Sequence, residues 1–181
     1  MGLRNGDNSF GSVSKFFHWS VSALVLIMLS VGFFLSSLPE SFQGTAYMLH
    51  KSTGLLILTL MIVRAAWAAF NPRPLPVKTL SALERLLSRV VQDLLFVFVI
   101  LMPLSGWAMA TAAGRAPSFY QLFTLPMPWI SESRALAQLL AEWHERIAWI
   151  LIGLLVAHIG AAMKHHHMNK DEVLKRMLPG A

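Results

Sequence analysis

The sequence predicts an all-α integral membrane protein, a four-helix bundle with both its N and C termini in the cytoplasm. Of its 181 residues, 55% are hydrophobic and 13% are charged, and this charged fraction is about half that of an ordinary soluble domain. Four apolar stretches are each long enough to cross a bilayer. Lys and Arg are concentrated on the side where four spans would place both termini, as is typical of cytoplasmic segments.

The predicted helices cover about residues 16–38, 47–70, 90–113 and 143–163. A Pro-rich connector at 71–76 must end the second helix. The longest loop, at about 114–141, carries aromatic residues that suit the outer membrane interface. Within it, residues 131–140 predict a short interfacial helix capped by Ser131. The whole chain, 1–181, is therefore predicted to be a single transmembrane domain.

The distribution of positive charge predicts the orientation. The N-terminus, the second loop and the C-terminus together hold ten Lys and Arg residues, against four on the opposite side. The first group is Arg4, Lys15, Arg73, Lys78, Arg85, Arg89, Lys164, Lys170, Lys175 and Arg176; the second is Lys51, Arg115, Arg134 and Arg146. This bias places both termini in the cytoplasm and the long loop in the periplasm. It also accounts for most of the net charge of +6, so we expect no nucleic-acid partner.

Four of the seven histidines lie within or at the ends of the predicted spans. His144 and His158 are 14 residues apart on the fourth helix, and so share one face at a separation of about 21 Å. By depth, His50 matches His144 on the periplasmic side, and His18 matches His158 on the cytoplasmic side. Two imidazoles from facing helices are the axial ligands that a low-spin b-type haem requires. The pattern predicts two haems stacked across the membrane.

Other interpretations of the histidines remain open. A single histidine at a helix end is often only an interfacial residue. Zinc or copper would require closer clustering and usually a carboxylate, and cysteine is absent. A non-haem metal or proton transporter is a further alternative, because ionisable residues inside spans generally serve a function.

The ordered motifs resemble those of the bacterial cytochrome b561 family, and within it the superoxide oxidase type. They are Phe17-His18-Trp19, His50-Lys51-Ser52-Thr53-Gly54, Trp143-His144-Glu145 and Leu155-Val156-Ala157-His158, with a histidine pair seven residues later. The resemblance implies that His18, His50, His144 and His158 are the axial iron ligands of two haem b groups. It covers about residues 14–179 and implies a multi-pass protein of the bacterial inner membrane, in contact with lipid.

The resemblance also implies an enzyme, a superoxide:quinone oxidoreductase. Such a protein moves electrons from periplasmic superoxide to ubiquinone at the cytoplasmic side. The alternative is a cytochrome b electron-transfer subunit of a hydrogenase or formate dehydrogenase, with a periplasmic redox partner docked on the long loop. Co-purification with an iron–sulfur subunit would favour that alternative.

Several other residues are candidates for the site. His165 is a candidate proton donor to the quinone, or else part of a basic helix end, and Ser14 and Lys15 are further quinone-side candidates. Arg64, 14 residues after His50, either pairs with a haem propionate or extends to the interface. Lys51 and the other outer cations either attract a small anion, pair with a propionate or are ordinary solvated loop charges.

The third span contains no histidine, and we expect it to form a wall of the site. Its segment Met102-Pro103-Leu104-Ser105-Gly106 predicts a kink. Its small residues indicate either close helix packing or room for a flat cofactor.

Overall fold

Four long helices form most of the chain in the computed structural model, which describes residues 2–77 and 79–179. They are α1 (Ser12–Phe34), α2 (Glu40–Ala69), α3 (Ala82–Ala112) and α4 (Arg134–Lys164). All four are long and apolar enough to cross a membrane. The predicted all-α four-helix class is therefore confirmed. Lys78, one of the cations assigned to the cytoplasmic side, lies outside the described residues.

Helix α3 begins at Ala82, about two turns before the apolar stretch that was expected to start near residue 90. Its N-terminus is a capping box, in which Ser81 Oγ accepts a hydrogen bond from Glu84 N and Glu84 Oε2 accepts one from Ser81 N. This reciprocal pair satisfies two of the free backbone donors of a helix N-terminus. Helices α1 and α2 also begin before their apolar stretches, at Ser12 and after Pro39.

The structure corrects the prediction of a separate interfacial helix at 131–140. Residues from Arg134 onward form the first turns of α4 itself. The cap is Ser133, whose hydroxyl accepts a hydrogen bond from Leu136 N, and not Ser131. No proline or glycine interrupts 134–143, so the helix continues through the polar turn around Glu142 without a break.

An apolar layer crosses the middle of the bundle. It contains buried side chains from every long helix: Val21, Val25, Ile57, Met61, Val99, Ile147 and Leu151. Met61 and Leu151 are each only 1% exposed. Along each of the three histidine-bearing helices, this layer lies to the inner side of His50 and His144 and to the outer side of His18 and His158. It therefore separates the two histidine pairs.

The long loop between α3 and α4 contains a small antiparallel hairpin instead of a helix. Strand β1 (Ser118–Phe119) pairs with β2 (Phe123–Thr124). The Phe119 and Phe123 rings stack with their centroids 5.5 Å apart. Tyr120 and Gln121 turn the chain at φ of 44° and 62°, a region that side chains seldom adopt. This turn lacks the usual Gly or Asn, which is why the sequence pattern did not predict it.

The opposite end of the bundle brings together the N-terminal segment, the α2–α3 linker and the C-terminal segment. Asn5 Nδ2 donates a hydrogen bond to the Pro72 carbonyl. Arg176 donates one to the Leu75 carbonyl at 2.7 Å. The three segments that were predicted to be cytoplasmic therefore lie on one side of the bundle.

Candidate functional site

Two histidines form what we call the outer pair, His50 on α2 and His144 on α4. Both line one cavity of about 450 Å³ that residues of all four helices surround. This volume lies within the range of cofactor and ligand sites. Glycines at 32, 54 and 106 line its wall. This outer cavity, which both imidazoles line, can therefore hold a flat organic group.

Two of these glycines lie against the outer-pair rings. A Cβ on Gly106 would lie 2.9 Å from His144 Cε1, and one on Gly32 would lie 3.3 Å from His50 Cε1. Carbon atoms normally approach to about 3.5 Å. The absence of side chains at these two positions thus allows the imidazoles to adopt their observed positions.

The second pair, called the inner pair, is His18 on α1 and His158 on α4. Their ring centroids are 6.3 Å apart. An axial metal–nitrogen bond of about 2 Å, with about 1 Å more from each nitrogen to its ring centre, separates two axial imidazoles by about 6 Å. The spacing of the inner pair fits a single iron atom held between the rings.

The histidine rings have few protein partners. The rings of His18, His50 and His158 make no hydrogen bond with a described residue, and His50 Nδ1 is buried as well. Buried polar groups are usually hydrogen-bonded, since leaving one unpaired costs about 1–3 kcal/mol. A metal bond would compensate that cost. The residues present therefore fit b-type haem ligation.

A metal cluster of the zinc type does not fit. Within residues 2–77 and 79–179, no group of three or more His, Cys, Asp or Glu side chains could hold a metal ion. The outer and inner pairs each supply two imidazoles, the number of protein ligands that a low-spin porphyrin iron takes.

Arg64 lies at the level of the inner pair, as its spacing predicts. Its guanidinium interacts electrostatically with His18 and His158. It also lies over the Phe96 ring, 5.9 Å from the centroid. Its N–H groups make no hydrogen bond with a described residue, so they are available to an acidic group of a bound cofactor.

The quinone-side candidates are held by the chain ends. Ser14 Oγ donates to Asn5 Oδ1 at 2.8 Å and accepts a hydrogen bond from Trp67 Nε1. Lys15 is buried and donates to the Leu178 carbonyl at 2.7 Å. Both side chains are therefore fixed in place at the inner end.

His165 forms a buried pair that the sequence did not reveal. Its Nδ1 lies 2.7 Å from Asp171 Oδ2, and both side chains are less than 10% exposed. Asp171 Oδ1 also accepts a hydrogen bond from Val173 N. A π-helical turn, His165–Asn169, and a left-handed Lys170 at φ 53° bring the carboxylate back onto the ring. Asp171 could have been predicted as the partner of His165 only from a sequence signal for that turn, and π-turns have no reliable sequence pattern.

Lys51 lines the outer cavity and donates a hydrogen bond to the Arg115 carbonyl at 2.8 Å. The next residue, Ser52, is fully buried and bonds the β1 backbone. Thr53 Oγ1 lies 3.1 Å from the Tyr120 hydroxyl. The polar residues between His50 and Gly54 thus attach the long loop to α2. This role of Ser52 was not predicted.

Comparison with known proteins identifies the family of the chain. The family model described as prokaryotic cytochrome b561 matches residues 9–180. Cytochrome b561 homolog 2 of Escherichia coli (strain K12) is 31% identical over 180 residues, covering 98% of this chain and 95% of the relative. A protein of Yersinia pestis named probable superoxide oxidase CybB is 31% identical over 90% of this chain and 91% of its own length. Cytochrome b561 homolog 1 of Escherichia coli (strain K12) is 26% identical, over 95% of this chain and 98% of its own.

Proposed function

The chain belongs to the prokaryotic cytochrome b561 family, as a bacterial multi-pass membrane protein of electron transfer, and from this membership we propose that it is a dihaem oxidoreductase that transfers electrons from periplasmic superoxide to ubiquinone. The observation that supports the proposal is that His18 and His158 lie with ring centroids 6.3 Å apart while His50 and His144 line one cavity. The name of the Yersinia pestis relative supports superoxide as the donor. Two superoxide anions give two O₂, and one quinone takes up the two electrons and two protons to become a quinol.

The histidines would hold the haems. His50 and His144 would be the axial ligands of the outer haem, and His18 and His158 those of the inner haem. Arg64 would pair with a propionate of the inner haem, since guanidinium and carboxylate form forked hydrogen bonds. When bound, haem supplies one-electron redox chemistry, while the protein sets ligation, burial and access.

The apolar layer between the pairs has a separate task. Its side chains exclude water from the middle of the bundle, and Met61 and Leu151 are almost wholly buried. A dry interior prevents protons and small ions from crossing along the electron path. Only electrons would then pass between the two ends.

The outer surface would receive the anion. Lys51 lies at the outer cavity, with Arg115 close enough to interact with it electrostatically. Two neighbouring cations raise the local concentration of a small anion. Superoxide is such an anion. A haem propionate is the other negatively charged group with which Lys51 could pair.

The inner end would bind the quinone and supply its protons. We assign proton delivery to His165, with Ser14 and Lys15 as contacts to the quinone carbonyls. For Ser14 to make that contact, its single hydroxyl hydrogen must leave Asn5 Oδ1 for the quinone, whereas the Lys15 ammonium has three N–H donors and need not give up its bond to the Leu178 carbonyl. The Asp171 carboxylate beside His165 would hold the ring in one orientation.

The orientation of the chain is part of the proposal. The segments gathered at the inner end carry the excess of Lys and Arg, which favours a cytoplasmic location. Since the chain has no cysteine, a single cysteine at exposed Ser9 can be labelled selectively. It should react with an impermeant maleimide in inverted vesicles and not in spheroplasts. Labelling in spheroplasts would reverse the assignment.

A spectrum with a haem count tests the central claim. The purified chain should show a b-type reduced-minus-oxidised spectrum with two haems per chain, and should reduce quinone when superoxide is generated. His50→Ala and His144→Ala should each lose the outer haem and keep the inner one. A chain without haem refutes the proposal. Two haems without superoxide-driven quinone reduction would instead point to the cytochrome-subunit function, for which an iron–sulfur partner should then co-purify.

A further inference from the structure

Helix α3 has no histidine, yet it contacts the ring of one proposed outer ligand. Ser105 Oγ lies 2.9 Å from His144 Nδ1. On the next residue, a Gly106 Cβ would be 2.9 Å from Cε1 of the same ring. Helix α3 therefore contacts His144 through a hydrogen bond and through the close approach of its backbone. The His50 ring also lies close to a glycine, Gly32, but its buried Nδ1 makes no hydrogen bond with a described residue.

The direction of the Ser105–His144 hydrogen bond follows from a second contact. Ser105 Oγ is also 2.8 Å from the Met102 carbonyl oxygen. Because a carbonyl can only accept, we assign the single hydroxyl hydrogen of Ser105 to this short contact with Met102. The oxygen then offers a lone pair to the ring, and His144 Nδ1 must carry the hydrogen that fills it.

This arrangement selects one tautomer of the neutral ring. With the hydrogen on Nδ1, the lone pair of His144 is on Nε2. Metal-ligating histidines commonly donate their other N–H to a fixed acceptor, which sets the tautomer and raises the basicity of the ligand. A more basic ligand favours the oxidised metal.

We infer that Ser105 is a positioning residue, which holds His144 as the Nδ1–H tautomer and lowers the reduction potential of the outer site. The effect on potential rests on the proposed function, because it requires a haem on His144. The tautomer does not, since it follows from the contacts among Met102, Ser105 and His144 alone. The outer ligands would therefore be unequal, with His144 the more basic of the two.

The Ser105→Ala variant removes the hydroxyl acceptor and leaves the Met102 backbone, with which His144 also forms a hydrogen bond. Ser105→Thr keeps a hydroxyl that can still bond a preceding carbonyl. The matched control is Ser30→Ala on α1, because Ser30 Oγ donates to the Leu26 carbonyl at 2.9 Å in the same local manner. Haem content, the two midpoint potentials and the rate of haem loss to apomyoglobin would be measured for each.

In Ser105→Ala, the outer midpoint potential should rise and the inner one should stay unchanged. Haem affinity of the outer site should fall by about 10- to 100-fold, the usual effect of removing such a partner. Ser105→Thr should resemble wild type. The inference would be overturned if Ser105→Ala and Ser30→Ala had the same outer midpoint potential and retained haem equally well.

The tautomer itself can be read without activity and without haem. Selective ¹⁵N-histidine labelling of haem-free protein should show His144 protonated at Nδ1, with the signal assigned by its absence in His144→Ala. A ring protonated at Nε2 would refute the inference even if both haems bind. A chain that never binds haem would refute the proposed function and leave the tautomer result standing.

Discussion

Gly106→Ala is the sharpest perturbation of the outer site. The added Cβ would lie 2.9 Å from His144 Cε1 and 3.4 Å from Nδ1. Because carbon atoms in contact are normally at least about 3.5 Å apart, the ring must move by about 0.6 Å. Movement away from α3 also stretches the 2.9 Å contact with Ser105 to about the limit of a hydrogen bond.

The energetic cost of Gly106→Ala comes from the displaced His144 ring and not from the effect of alanine on helix α3. Extra atoms in a well-packed interior cost about 1–3 kcal/mol, whereas alanine is favoured over glycine in a helix by about 1 kcal/mol. We therefore expect Gly106→Ala to lose the outer haem selectively. The assay is haem per chain by the pyridine haemochrome method, with thermal unfolding of the purified protein in detergent.

Three glycines provide a graded comparison. A Cβ on Gly32 would lie 3.3 Å from His50 Cε1, so Gly32→Ala should retain both haems with a small change in the outer spectrum. Gly153 has no atom within 4 Å of its added Cβ, and Gly153→Ala reports the helix propensity alone. If Gly106→Ala keeps two haems with unchanged potentials, as Gly153→Ala should, the close contact has no functional role and this reasoning is refuted.

The other predictions concern the loop, the inner cation and the proton route. Ser52→Ala leaves the part-buried Tyr120 N–H without its acceptor, so we expect a loss of about 1 kcal/mol in unfolding free energy and faster tryptic cleavage of the long loop, relative to Ser30→Ala. Arg64→Gln removes a positive charge near the inner pair, which should lower the inner midpoint potential in a redox titration because that charge favours the reduced haem; no change would place the guanidinium away from the haem. Asp171→Asn should slow haem reoxidation by quinone in stopped-flow measurements without loss of haem, and Asp171→Glu should recover part of the rate. Unaltered reoxidation in Asp171→Asn would remove the buried pair from the proton route.

Predictions from hydropathy and spacing were accurate where one element alone determines the outcome. The four spans follow from runs of apolar residues, since a bilayer requires about 20 of them in each helix. The 14-residue spacing places His144 and His158 on one face of α4 for the same local reason. Pairing by depth then matches each of them with a histidine on another helix, and the 6.3 Å between His18 and His158 shows that one such pair meets.

Helix ends and the long loop were predicted less well. Apolar runs mark where lipid begins, whereas caps such as Ser81 and Ser133 determine where a helix begins. The hairpin at Ser118–Thr124 depends on its attachment to Ser52, 66 residues away in sequence. No local pattern contains that information.

The sequence by itself determined the membrane class, the four spans and the level of each histidine, because length, polarity and helical period are properties of single segments. Only the tertiary structure decided which polar groups support the site: Ser105 beside His144, Asp171 beside His165, and Ser52 beneath the loop. Each of these contacts joins segments that are separate in the sequence or that a turn brings back together. Hydrogen bonds extend over about 3 Å, so they depend on packing at a precision that residue spacing does not encode.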